Sequence, residues 1–102
     1  MTREEQILDV LRSSGKCKAD EIFFTTAKME VRSNGTHTKQ AQEYLDMYEF
    51  GTGDSKWRTS GHYYLRKLEG CGKLCYYGSG MYSPVTNVNP GVVTPGETST
   101  IL

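Results

Sequence analysis

Two runs of five residues, Lys73 to Tyr77 and Met81 to Val85, stand apart across Gly78-Ser79-Gly80. Glycine reaches the positive φ that a short hairpin loop requires, and runs rich in aromatic and apolar side chains suit a half-buried pleated surface, so 73–85 reads as a β-hairpin. The segment before it is as tightly specified. Gly61, Tyr64, Leu65 and Leu68 recur at helical spacing, Thr59 or Ser60 offers a cap, and Gly70 and Gly72 close the element. A helix therefore runs almost directly into a two-stranded ribbon that braces it from behind.

Upstream, Thr2 and Glu5 stand in the reciprocal capping-box spacing, and Glu4 and Glu5 suit the positive end of a helix dipole. Ile7, Leu8, Val10 and Leu11 supply the apolar stripe of a first helix from about Arg3 to Ser14, where Ser13-Ser14-Gly15 stops it. After the basic turn Lys16-Cys17-Lys18, the segment Ala19 to Phe24 reads as a short second helix, with a buried strand as the alternative. Residues 25–37 begin with β-branched side chains, contain the turn signal Asn34-Gly35 and hold no sustained period, which predicts a connection with at most a short strand. Ala41, Tyr44, Leu45 and Tyr48 then mark an amphipathic helix over 38–50, followed by a loop at 51–55. From residue 86 the chain carries two Pro-Gly pairs, one charge and no aromatic residue. One domain over 1–85 and a flexible tail over 86–102 are expected.

At 102 residues the chain has room for one core. Three cysteines at irregular spacing supply no even-numbered disulfide framework, and no apolar run approaches the roughly 20 residues needed to cross a bilayer. No signal-peptide core follows Met1, so the expectation is a cytoplasmic protein with no membrane partner. Twelve Lys and Arg balance twelve Asp and Glu, which excludes a chain that is basic throughout. The charges are nevertheless segregated. Residues 1–53 hold seven bases against nine acids, whereas 54–85 hold five bases, Lys56, Arg58, Arg66, Lys67 and Lys73, against Asp54 and Glu69.

On a helix with Tyr64, Leu65 and Leu68 inward, His62, Tyr63, Arg66 and Lys67 form one exposed strip that combines donors, a stacking ring and positive charge. Lys56, Arg58, Thr59 and Ser60 crowd the start of that helix, where free amides and the dipole favour phosphate oxygens. Both halves of a DNA contact are then present: anchors for phosphate, and side chains able to reach base edges in a major groove. The competing structural reading makes Arg66 and Lys67 an ordinary solvated face and Trp57 a core residue.

The order Ser60-Gly-His-Tyr-Tyr-Leu-Arg-Lys-Leu-Glu-Gly-Cys-Gly-Lys-Leu74, followed by a glycine-tipped hairpin, resembles the recognition helix and wing of winged helix-turn-helix proteins. The resemblance covers about residues 56–85, and helix 1 with Lys18 to Phe23 is similar to the first two helices of that family. It implies an α+β fold of three to four helices and a C-terminal β-hairpin. It also implies a sequence-specific double-stranded DNA-binding protein, a small transcriptional regulator of bacterial or phage type. Carried over, Thr59, Ser60, His62, Tyr63, Arg66 and Lys67 form the reading face. Two features depart from the pattern: the hairpin tip has no Arg or Lys, and 33 residues separate Phe24 from Arg58, so either the Thr38 to Phe50 helix is inserted or it is itself the helix preceding the recognition helix and the earlier turn is extra. Winged helices also serve as interaction modules. The alternative is such a module, for example a phage-encoded inhibitor of a host enzyme, with a protein partner or a second copy in place of DNA.

No other chemistry competes. Cys71 and Cys75 are four apart without a second pair at zinc-finger spacing, so the cysteines read as packing residues or free thiols and no metal or cofactor is expected. His37 and His62 lack orienting partners and no nucleophile or phosphate-loop motif occurs, so no enzyme is expected. Tyr63, Tyr76, Tyr77 and Tyr82 are weighed mainly as packing residues of the small sheet, with base stacking or a protein interface as other uses.

Overall fold

The computed structural model describes residues 1–85; the expected tail at 86–102 lies outside them. Within that range the order is α1 (Arg3–Ser14), β1 (Cys17–Lys18), α2 (Ala19–Ser33), α3 (Thr38–Phe50), α4 (Lys56–Gly70), β2 (Leu74–Tyr76) and β3 (Met81–Pro84). The fold is α+β: four helices and an antiparallel sheet of order β1-β3-β2. Among the described residues, no helix is long and apolar enough to cross a membrane.

The capping box forms as its spacing requires. Glu5 N–H donates to Thr2 Oγ1 at 3.2 Å, and Thr2 N–H donates to Glu5 Oε1 at 2.7 Å. Acceptance of the Thr2 amide hydrogen bond lowers the Glu5 pKa.

The largest correction concerns residues 25–37. They are not mainly a connection, because α2 continues to Ser33. Its buried positions Ala19, Ile22, Phe23, Thr26, Ala27 and Glu30 keep the helical period, but the later ones are small or polar and give no hydropathy signal. Thr26 is accommodated by donating its hydroxyl to the Phe23 carbonyl at 3.1 Å. Asn34, at φ 53 and ψ 49, is the left-handed residue that ends α2, so the Asn-Gly signal marks a helix C-cap. The helix before the hairpin also begins earlier than its cap candidates Thr59 and Ser60, at Lys56.

The hairpin forms within the expected region, with Leu74 opposite Pro84, Cys75 opposite Ser83 and Tyr76 opposite Tyr82. It gains a third strand, which the sequence pattern did not announce. Cys17 pairs with Tyr82 and Lys18 with Met81, and Ala19 N–H donates to the Gly80 carbonyl at 2.8 Å. Two-residue strands carry no periodicity, so only the partner reveals them.

One core joins these layers, with Ile7 and Leu11 from α1, Ile22 and Phe23 from α2, Ala41 and Tyr44 from α3, and Trp57, Leu65 and Leu68 from α4. Leu74 and Tyr82 close it from the sheet. Trp57 buries its ring and donates its indole N–H to the Phe23 carbonyl at 3.0 Å, tying α4 to α2.

Candidate nucleic-acid interface

α4 separates its residues by side. Trp57, Gly61, Leu65 and Leu68 are buried, which turns the opposite side outward. Lys56, Thr59, Tyr63, Arg66 and Lys67 are exposed there, Arg58 is exposed on the flank towards α2, and Tyr63 keeps 55% of its surface. Two of the eight residues named from the sequence are placed differently. His62 is half-buried, its ring edge-on to Phe23 with centroids 4.8 Å apart. Ser60 is half-buried and turns inward, donating to the Trp57 carbonyl at 3.1 Å and accepting from the Arg3 guanidinium at 2.8 Å.

The cations differ in how free they are. Arg58 Nε lies 3.7 Å from Asp20 Oδ1 and Lys67 Nζ lies 3.4 Å from Glu4 Oε2; these are the ion pairs among the described residues. The Glu4 contact raises the Lys67 pKa. Solvent and salt screen surface pairs of this kind, so each cation can exchange a carboxylate for a phosphate at little cost. At the helix start, Asp54 Oδ1 already accepts the Lys56 amide at 2.7 Å, so a carboxylate occupies part of the N-terminal anion position.

The sheet supplies cations that the hairpin tip lacks. Lys16 Nζ sits 4.5 Å from the Tyr77 ring centroid, and Lys18 is exposed on β1 beside β3. Lys16 and Lys18 stand more than sixty residues from Tyr82 in the chain, so only the β1–β3 pairing brings them to the ribbon. Of the four tyrosines weighed as packing residues, Tyr82 is buried, while Tyr63, Tyr76 and Tyr77 are exposed. All three cysteines are free, Cys17 in the core and Cys71 and Cys75 exposed. Among the described residues no three His, Cys, Asp or Glu side chains assemble a metal-binding set.

Burial lowers the His62 pKa from its ordinary 6.5, and the Arg58 and Arg66 cations push it further down, against a smaller opposing effect of Asp20. The folded state then binds fewer protons than the unfolded chain as pH falls through about 6.5, and this term removes stability there. Urea unfolding at about pH 7.5 and pH 5.5 is expected to show a larger acid loss for the parent chain than for His62→Gln. Equal losses would mean that His62 titrates alike in both states.

Comparison with protein-family models, with curated proteins and with solved structures finds no match to this chain.

Proposed function

We propose that this chain is a winged helix-turn-helix protein that binds double-stranded DNA sequence-specifically and acts as a small transcriptional regulator. The single observation that carries the reading is the outward face of α4, where Lys56, Arg66 and Lys67 share one side with Thr59 and Tyr63, while Arg58 is exposed on the flank towards α2. An exposed helix of this kind can enter a major groove. The arrangement around it supports the reading. A short strand follows α1 and joins the outer side of a hairpin that leaves α4 almost directly, giving order β1-β3-β2. The 33 residues between Phe24 and Arg58 hold the rest of α2, the whole of α3, the loops on either side of α3 and the first two residues of α4; on this reading α3 would be a helix inserted into the family pattern. Arg66 would read a base edge, while Lys56, Arg58 and Lys67 would anchor phosphates, with Lys16 and Lys18 as further backbone contacts near the ribbon.

A protein that neutralises about four phosphates loses affinity with a log-log salt slope of roughly −3.6. Arg66→Ala is expected to cost about 1–3 kcal/mol on the preferred site and to relax discrimination at one position, whereas Lys67→Ala weakens all sequences alike. Selection from a randomised duplex pool followed by retardation assays at several salt concentrations measures both. Failure to retard any duplex at low salt overturns the DNA reading. The second reading, a protein-interaction module on the same scaffold, draws on the exposed rings of Tyr63, Tyr76 and Tyr77 and on the ion pairing of Arg58 and Lys67. It would be favoured if Tyr63→Ala abolished capture of one defined partner and duplex DNA had no effect on that capture.

A further inference from the structure

His62 stands between two cations of α4. Arg58, His62 and Arg66 recur every four residues, so they form one ridge that runs from the flank towards α2 onto the outward side of the helix. His62 is half-buried there, its ring edge-on to Phe23. Neither ring nitrogen has a hydrogen-bond partner among the described residues, yet neither is sealed from solvent as Arg3 Nε and Gln6 Oε1 are. An imidazole so placed keeps a nitrogen free to donate to an anion that settles on the ridge.

The charges around that ring come from two helices. Arg58 and Arg66 stand one turn to either side, and Asp20 approaches from α2, its Oδ1 3.7 Å from Arg58 Nε. On the sheet side, Tyr82 of β3 interacts with Arg66 and Glu69, and burial raises its pKa, so its hydroxyl stays neutral in the range where histidine titrates. Burial and the two arginines hold the His62 imidazole in its uncharged form, and Asp20 alone opposes them. A duplex would reverse that balance. Each phosphate bears a negative charge, and one held by Arg58 would bring that charge beside His62. An opposite charge within about 4–6 Å favours the charged form of a side chain by about one to three pKa units.

Lysine and arginine stay charged near neutral pH with or without DNA, so they cannot make binding depend on pH there, whereas a histidine can. Resting on the DNA-binding reading above, we propose that a duplex seated on α4 takes up a proton from solvent at His62, whose imidazolium donates to the phosphate held by Arg58, so that affinity rises as the pH falls. Linkage sets the size of the effect, since DNA must favour the protonated protein by the same factor by which it favours protonation. Each unit by which DNA raises the titration midpoint of His62 is a factor of ten in affinity between the two protonation states.

The test measures binding of the full chain to one mixed-sequence duplex at low, constant ionic strength from about pH 7.5 to about pH 5.5. Phosphate contacts do not depend on base sequence, so no preferred site is needed. Affinity is expected to rise about five- to tenfold over that interval, as a midpoint raised by about one unit or slightly more predicts. Calorimetry in buffers of different ionisation enthalpy should show proton uptake on binding. In His62→Gln the rise should fall below about twofold and the uptake should vanish, whereas His37→Gln, changed at the start of α3, should keep both. Circular dichroism at each pH confirms that the fold persists. NMR titration of the His62 imidazole in the parent chain, free and saturated with duplex, decides the matter even if His62→Gln fails to fold, because the bound midpoint should lie about one unit or more above the free one. A flat affinity, an equal rise in His62→Gln or an unmoved imidazole midpoint overturns the proposal while leaving DNA binding intact. Failure to bind duplex at any pH overturns both. Proton-linked binding without sequence preference supports the proposal and overturns only the sequence-specific reading.

Discussion

Replacement of Trp57 by alanine is expected to remove about 3–5 kcal/mol of stability, the range for truncating a large buried aromatic side chain. Trp57 is 1% exposed and heads the fully buried side chains by volume. Its loss would open a void among α1, α2 and α4, delete the indole donation to the Phe23 carbonyl and remove the ring beneath the Arg3 guanidinium. The last effect adds to the first, because Arg3 is already held in a partly desolvated place. Trp57→Phe separates the terms. It keeps an aromatic ring, and the Phe23 carbonyl retains the Thr26 hydroxyl at 3.1 Å, so the lost hydrogen bond should contribute only about 0.5–1.5 kcal/mol beyond the loss of volume. Urea unfolding followed by far-ultraviolet circular dichroism measures both variants, since the chain has one tryptophan and its fluorescence signal is lost with either substitution. A change below about 1 kcal/mol for Trp57→Ala would show that α4 is not anchored through this ring.

How far this architecture could be read in advance depended on whether burial coincided with hydropathy. α1 and α3 carry bulky apolar side chains at helical spacing, and their extents, Arg3–Ser14 and Thr38–Phe50, agree with that pattern. The second half of α2 has the same geometry, but its inward positions are Thr26, Ala27 and Glu30. Glu30 is buried because Gln6 and the His37 amide meet its carboxylate, and both partners lie outside the helix that carries it. A hydropathy period cannot register a position whose burial depends on a distant hydrogen bond. β1 was hidden for a similar reason, since its pairing with β3 and not its own residues makes it a strand.

The cationic face shows the same division. Helical spacing places Arg66, Lys67 and Tyr63 outward, because that inference needs only the buried stripe on the other side. Spacing carries no information about Asp20 and Glu4, which approach Arg58 and Lys67 from α2 and α1. Nor does it show that Ser60 faces Arg3, or that Lys16 reaches the ribbon. The cavity of about 710 Å³ beside α4 was unreadable throughout, since its walls come from three separate stretches of chain, within 1–6, 30–40 and 57–64, and its polar members look like ordinary surface residues in sequence.

The second large effect is expected where Gly61 of α4 packs on Phe23 of α2, and Phe23→Ala should cost about 3–5 kcal/mol by leaving a ring-sized void. A Cβ on Gly61 would lie 2.4 Å from Phe23 Cε1 and 2.6 Å from Cδ1, nearer than any such contact tolerates. The ring has little room to yield, since Phe23 is fully buried and His62 packs on it edge-on. Alanine at position 61 would gain about 1 kcal/mol of helix propensity, while overpacking costs about 1–3 kcal/mol, so in the parent chain the helix spacing should lose stability on balance. Once Phe23 is alanine the obstruction is gone. Gly61→Ala should then keep its propensity gain and add a methyl to the void, turning from destabilising to stabilising. Urea unfolding of the parent, both single variants and the double variant should yield a coupling of about 1–3 kcal/mol in favour of the double variant. Additivity within about 0.5 kcal/mol would show that this contact does not set the distance between the helices. Because Arg58 meets Asp20 of α2 and His62 rests on Phe23, the same contact also determines how α4 holds its outward side. A displaced helix in Gly61→Ala should therefore shift the amide resonances of Arg58 and His62 as well as lower stability.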